Sequence, residues 1–387
     1  MNHFSFYNPV RVHFGEGAVS HLAAELCSYG ANILLAYGGG SIKQSGVYEA
    51  VLGQLRSAGK RVVELSGIMP NPRTEKVYEG IELCRTEKID FVLAVGGGSV
   101  IDCVKAIVIG ALTEADFWET HYIRHVPPRA ALPFGCVLTL PATGSEMNAT
   151  SVISHWGEHR KLDFQHELMF PRFSILDPTY TYTMPKKQLV YGAVDTLSHL
   201  FEQYFSSPDD SCLSDDIAEA LMKNYLENLR VALQTPRDYT ARANLMWGST
   251  LALNKLTSLS KETDWVSHQI EHALSAYYDI PHGAGLAIVH PLYLLYVCDK
   301  APRKFARYAR NVWGIDGGGM SELELAQAGI RRTRDFFREI GAPTTLGEVG
   351  IPADAIPTLA AHTKLLPGSY RKPITPADIE RILTTCL

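Results

Sequence analysis

The alternation of apolar and polar positions changes character near residue 185. Before it, short β-branched runs, NILLAY (32–37), RVVELSG (61–67), FVLAV (91–95) and CVLTL (136–140), each meet a Gly- or Pro-rich turn, and helical stretches separate several of them. That alternation predicts βαβ units and a parallel sheet. After MPKK (184–187) the strand-like runs thin out and helical periods dominate in 211–233, 240–258, 266–277 and 320–340. The pattern therefore predicts an α/β domain over 1–185 and an all-α domain over 186–387. No repeat of fixed period interrupts either half.

Length agrees with two domains, since 387 residues exceed the roughly 250–300 at which a single core stops growing. With 46% hydrophobic and 20% charged residues the chain reads as globular. A net charge of −5 and a pI near 6.3 give no reason to expect nucleic acid or an acidic membrane surface as a partner. Small molecules are the expected partners. The seven cysteines contain no CxxC, which reads as reduced thiols of a cytoplasmic protein without disulfides. MNHFSFYNPV lacks a signal-peptide pattern, and the apolar segment FVLAVGGGSVIDCVKAIVIGAL is interrupted by Asp102 and Lys105, so neither export nor a membrane span is expected.

Three glycine turns invite comparison with nucleotide-binding loops. GEGAVS (15–20) nearly spells GxGxxG, but Ser20 stands where the third glycine belongs, and a plain turn into a helix is the simpler account. YGGGSIKQSG (37–46) follows NILLAY, and VGGGSVIDCVK (95–105) continues FVLA. Glycines at a strand-to-helix turn let the backbone approach an anion, so two such turns in one alternating domain favour a dinucleotide. TLPATGSEMN (139–148), rich in hydroxyls after CVLTL, offers further donors. NAD sites commonly end a strand with a carboxylate for the ribose 2′-hydroxyl. After NILLAY stand Gly38, Gly39, Gly40, Ser41 and then Lys43, without an acid. If this turn meets the adenosine ribose, NADP(H) is preferred over NAD(H).

The helical half carries metal-ligand spacing. In YGAVDTLSHLFEQY (191–204) Asp195 and His199 lie one helical turn apart, on one face, and His268 and His272 repeat that spacing. His282 follows between a Pro and a Gly. One Asp and four His exceed a four-coordinate catalytic site that must keep a position open, so at least one is not a ligand. A competing motif is HQIEH (268–272), which matches the H-x-x-E-H peptidase signature with Glu271 as base. It leaves Asp195, His199 and the glycine turns unexplained. Trp247, Trp265, Tyr277 and Tyr278 are candidate pocket walls, although aromatics in helices more often belong to the core.

With these segments assembled, the chain resembles the iron-containing (group III) alcohol dehydrogenases, in particular the butanol dehydrogenase and broad-range NADPH-dependent aldehyde reductase branch. The likeness runs through FSFYNPVRVHFGEGA, YGGGSIKQSG, MPNPR, LAVGGGSVIDCVKAI, GCVLTLPATGSEMN, ILDPTYTYTMP, VDTLSHLFEQY and DWVSHQIEHALSAYYDIPHGAGLAIV. It implies a Rossmann-like N-terminal nucleotide domain and an all-helical C-terminal domain, the dehydroquinate synthase-like architecture, with catalysis in the cleft between them. It further implies a divalent ion, Fe²⁺ or Zn²⁺, on Asp195, His199, His268 and His282, with His272 near nicotinamide and substrate. The matching nucleotide positions are Gly38, Gly39, Ser41, Asn71, Gly97, Gly98, Ser99, Asp102, Thr139, Thr143, Asn148 and Lys161; a one-residue shift would exchange Lys161 for Arg160. The fucose/propanediol and ethanol branch has an acid after the second strand, and here the GGGS turn replaces it. Homodimers joined through FSFYNPVRVHF are also implied.

The expected activity is hydride transfer between NADP(H) and a small aldehyde or primary alcohol. A dehydroquinate synthase-like or glycerol dehydrogenase-like enzyme is the alternative. The first of these needs basic side chains near the metal, and beside 191–204 and 262–285 Lys261 is the one such residue other than histidine.

Overall fold

The computed structural model describes residues 2–207, 213–366 and 374–387. Cys212 and the first residues of the predicted helix 211–233 lie outside them; the six cysteines within are free thiols. The first half runs β1 (Arg11–Phe14), α1 (Leu22–Leu26), β2 (Asn32–Tyr37), α2 (Ser41–Gln44), α3 (Val47–Ser57), β3 (Arg61–Leu65), α4 (Thr74–Thr86), β4 (Phe91–Gly97) and α5 (Gly98–Gly110). It continues with β5 (Phe134–Leu140), β6 (Thr150–His155), β7 (Arg160–Gln165) and β8 (Phe173–Leu176). Thereafter come α6 (Lys186–Tyr204), α7 (Leu213–Gln234), α8 (Tyr239–Ala252), α9 (Val266–Tyr278) and α10 (His282–Val297). The chain closes with α11 (Pro302–Asn311), α12 (Glu322–Ile340), α13 (Ile356–His362) and α14 (Pro376–Thr384).

Two compact units form. One comprises Tyr7–Met184 together with Val231–Thr250, and the other Met1–Phe6, Pro185–Arg230 and Leu251–Leu387. In the first, six strands build a parallel sheet in the order β1-β8-β5-β4-β2-β3. Its central strands read as unbroken apolar runs because both faces are covered. Ile33, Leu35, Phe91 and Leu93 enter one core with α1 and α3, while Leu34, Ala36, Val92 and Ala94 enter the other with α4 and α5. From β2 the chain moves outward to β3 and then returns to the other side of β2 as β4. The strand order thus reverses between β2 and β4, and the turns that end these strands flank the switch point where α/β sheets bind ligands.

The second unit is helical. Its middle is α10, whose residues from Gly283 to Leu294 are all buried, with α6, α9, α12 and α14 packed around it. No helix among the described residues is long and apolar enough to cross a membrane. GEGAVS forms the plain turn: Gly17 has φ 75° and leads into the short helical segment Ala18–His21. Several elements fall outside the runs and periods that the pattern displays, and two cases have a clear cause. β6 and β7 form a separate antiparallel pair, and α10 lacked any helical period because a helix apolar on every side has none to display.

Candidate active site

α6 presents Asp195 and His199 on one buried face, with His199 Nε2 3.3 Å from Asp195 Oδ1. α9 brings His268 against them, its ring stacked on His199 at 5.0 Å between centroids. His282, the first residue of α10, turns Nε2 to within 3.6 Å of the same Asp195 oxygen. Donor atoms of Asp195, His268 and His282 all lie within 4.8 Å of one another. A carboxylate and imidazoles so gathered have the chemistry that holds a divalent ion such as Fe²⁺ or Zn²⁺. His272 belongs to a neighbouring group with Glu271 and His282, also within 4.8 Å. In that group the His282 Nδ1 is already bonded to Glu271 Oε2, so these two atoms serve each other, while the His282 Nε2 faces Asp195. Trp265 lies edge-on to His268 at 5.1 Å and tilted to His199 at 6.1 Å, whereas Tyr277 meets His362.

Carboxylates behind the histidines fix them. Glu202, buried on α6, accepts the backbone N–H groups of Trp265 at 2.9 Å and His268 at 3.2 Å, and lies 3.1 Å from His268 Nδ1. A carboxyl at the start of α9 satisfies amides that the helix leaves open. Burial nonetheless pushes Glu202 up to about 8. Glu271 holds His282 and in turn accepts Ser275 Oγ. A partner on the far nitrogen sets which nitrogen an imidazole offers to a metal.

The turn that carries His282 depends on its flanking glycines. A Cβ on Gly283 would stand 2.1 Å from the Tyr191 carbonyl oxygen, and one on Gly285 2.7 Å from Glu271 Cγ. Only glycine lets α10 approach α6 and α9 this closely.

In the other unit, the glycine turns sit at the ends of β2 and β4. Gly38 packs below the Ile68 carbonyl, while a Cβ on Gly39 would meet nothing within 4 Å; Ser41 opens α2. Gly97 lies against Leu140, and a Cβ on Gly98 would reach Thr143 Oγ1 at 2.4 Å, so the β4 turn and the 139–148 loop are in contact. Ser99 follows in the first turn of α5, and Thr139 is the penultimate residue of β5, just before that loop. Asn71, at φ 51°, is buried before α4.

The loop is pinned from beneath. Lys105, fully buried, donates to Ser145 Oγ at 2.7 Å, Asn148 Oδ1 at 2.9 Å and the Thr150 carbonyl at 2.8 Å; burial lowers it to about 8. Asp102 accepts Ser145 Oγ at 2.5 Å and the Val152 N–H at 3.0 Å, and burial raises it. The Asn148 amide donates to the Thr143 and Gly144 carbonyls and accepts from Lys105 and the Thr150 N–H. These four bonds use its full capacity, so Asn148 shapes the loop. Lys161 is buried on β7 while Arg160 beside it is exposed, and Lys161 acts electrostatically on Asp102.

A doubly covered parallel sheet with glycine turns at its switch point, joined in one chain to helices that gather a carboxylate and imidazoles, is the equipment of a metal- and nicotinamide-using dehydrogenase. The chain belongs to the iron-containing alcohol dehydrogenase family, whose profile matches residues 9–178 and whose C-terminal profile matches 189–387. It is an oxidoreductase of the alcohol dehydrogenase and aldehyde reductase kind. It is 43% identical over 360 residues to a probable NADH-dependent butanol dehydrogenase of Bacillus subtilis, covering 93% of each chain. To the NADPH-dependent aldehyde reductase YqhD of Escherichia coli it is 40% identical, covering 93% of this chain and 92% of that one. The crystal structure of an NADH-dependent butanol dehydrogenase from Thermotoga maritima superimposes with a TM-score of 0.95 at 38% identity, covering 100% and 99% of the two chains.

Proposed function

We propose that the chain reduces small aldehydes to primary alcohols, and runs the reverse reaction, with NADP(H) preferred over NAD(H). The observation that carries this is the convergence of Asp195, His268 and His282 donor atoms within 4.8 Å. In this reading Asp195, His199, His268 and His282 hold one Fe²⁺ or Zn²⁺. The nucleotide is received by Gly38, Gly39, Ser41, Asn71, Gly97, Gly98, Ser99, Thr139, Thr143 and Lys161, with Asp102 and Asn148 shaping the loop beneath it. Nucleotide binding is thereby assigned to 1–185 and metal binding to 186–387. When bound, the ion supplies a Lewis acid for a carbonyl oxygen and the nicotinamide a hydride.

The side chains do the rest. Glu202 and Glu271 orient His268 and His282, and Trp265 covers the stacked imidazoles. His272, buried and 5.7 Å between centroids from His282, is the group assigned to move a proton to or from the product oxygen. A homodimer in the cytoplasm completes the proposal, supported by β1, an edge strand with Phe14 exposed, and by exposed Tyr7.

Mixing protein, NADPH and butanal and following absorbance tests the activity. Consumption of NADPH that ceases in His268→Ala together with metal content is the expected result. His272→Ala should keep the metal and lose turnover; loss of metal there would show the histidines to be wrongly divided. Full activity in a metal-free preparation would overturn the reading.

A further inference from the structure

The carboxylate missing after β2 is supplied by the neighbouring strand. Glu64 on β3 stands in register with Leu35 of β2, on the face that also carries Tyr37. It accepts the Tyr37 hydroxyl at 2.5 Å and the Tyr48 hydroxyl at 2.7 Å. Tyr37 is the residue directly before Gly38. Beyond the turn, Lys43 holds its ammonium 4.7 Å over the Tyr48 ring and 5.3 Å over the Tyr37 ring. One cation and one carboxylate thus share two phenols beside the glycine turn. The Tyr37 hydrogen bond holds Glu64 below the usual carboxylate range, and the Glu64 bond pushes Tyr48 up to about 12. Above the turn there is room, because a Cβ on Gly39 or Gly40 would meet nothing within 4 Å.

We propose that Lys43 and Glu64 act as a balanced pair that sets the choice between a 2′-phosphate and a 2′-hydroxyl on the adenosine ribose. This rests on the reading that the Gly38–Ser41 turn receives that ribose. A 2′-phosphate adds up to two negative charges and three acceptors, which Lys43 attracts and Glu64 repels. A 2′-hydroxyl lacks that charge and can donate to Glu64. Because Tyr37 and Tyr48 spend their hydroxyl protons on Glu64, the carboxylate is kept in place and cannot swing clear of the turn. The pair therefore favours NADP(H) only modestly and leaves NAD(H) usable. A lysine alone would favour NADP(H) more strongly.

Fluorescence titration of the intact protein with NADPH and with NADH, which differ only at the 2′ position, tests this without turnover. Lys43→Ala should weaken NADPH about two- to fivefold, the range of a solvent-screened charge contact, and leave NADH unchanged. Glu64→Gln should move the ratio of the two dissociation constants the other way, toward NADPH. Both side chains are exposed, and circular dichroism verifies that each variant is folded. A ratio that stays fixed in both variants, or moves in the same direction in both, overturns the charge pair. Failure of the unaltered protein to bind either nucleotide would instead refute the nucleotide site itself.

Discussion

Glu271 is the residue whose meaning changes most between sequence and structure. In HQIEH it suggests the base of a peptidase, yet the fold points it at His282 Nδ1 and backs it with Ser275. It holds a ring rather than activating a water. Glu271→Gln should therefore lower metal affinity about 10–100-fold, the usual cost of losing a carboxylate behind a ligating imidazole. Competition with a chromogenic chelator measures this; unchanged affinity alongside lost activity would make Glu271 catalytic instead. The ligand candidates themselves were legible, since Asp195, His199, His268 and His272 announce themselves by one-turn spacing. Glu202 was not, because a glutamate late in a helix ordinarily reads as a solvated charge. Its burial follows from α9 docking its open amides there, a long-range event that no local window contains. Glu64 was hidden for a similar reason: it is adjacent to the β2 turn only across the sheet.

At the scale of elements, β2, β3, β4 and β5 were each visible as β-branched runs, and α7, α8, α9 and α12 as helical periods. What escaped was the pair β6 and β7, where SVISH and RKLDFQ carry mixed polar residues around a short turn, and α10, where uniform burial erased the period. Gly283 shows how tightly α10 is set. Its missing side chain lets the helix rest against the α6 backbone at Tyr191, and the opposing atom is a carbonyl oxygen that cannot rotate away. Gly283→Ala should destabilise the helical unit by about 3 kcal/mol, the upper part of the usual overpacking range, and displace His282 with the helix. Urea titration followed by tryptophan fluorescence would record the loss, and a metal-binding assay the displacement. A variant as stable as the parent, with its metal retained, would mean that α10 sits further from α6 than described.

For the whole molecule, the division of labour implies that stability is not one number. The chain forms two packing units, and such chains commonly depart from two-state unfolding. A ligand stabilises the state that holds it, by about 2.7 kcal/mol when free ligand exceeds the dissociation constant a hundredfold. A metal ion on Asp195, His199, His268 and His282 would therefore stabilise α6, α9 and the start of α10. Removing the ion with a chelator should raise hydrogen exchange in α9 and the Pro281–Leu286 turn, where the coordinating side chains would otherwise tie three helices together. Exchange in β2 and β4, the middle of the parallel sheet, should change little, and NADPH should protect the Gly38–Ser41 and Gly97–Ser99 turns instead. Exchange that rises uniformly across both units on chelation would contradict this separation. It would place the ion's contribution in the stability of the entire chain rather than in the helices that carry its candidate ligands.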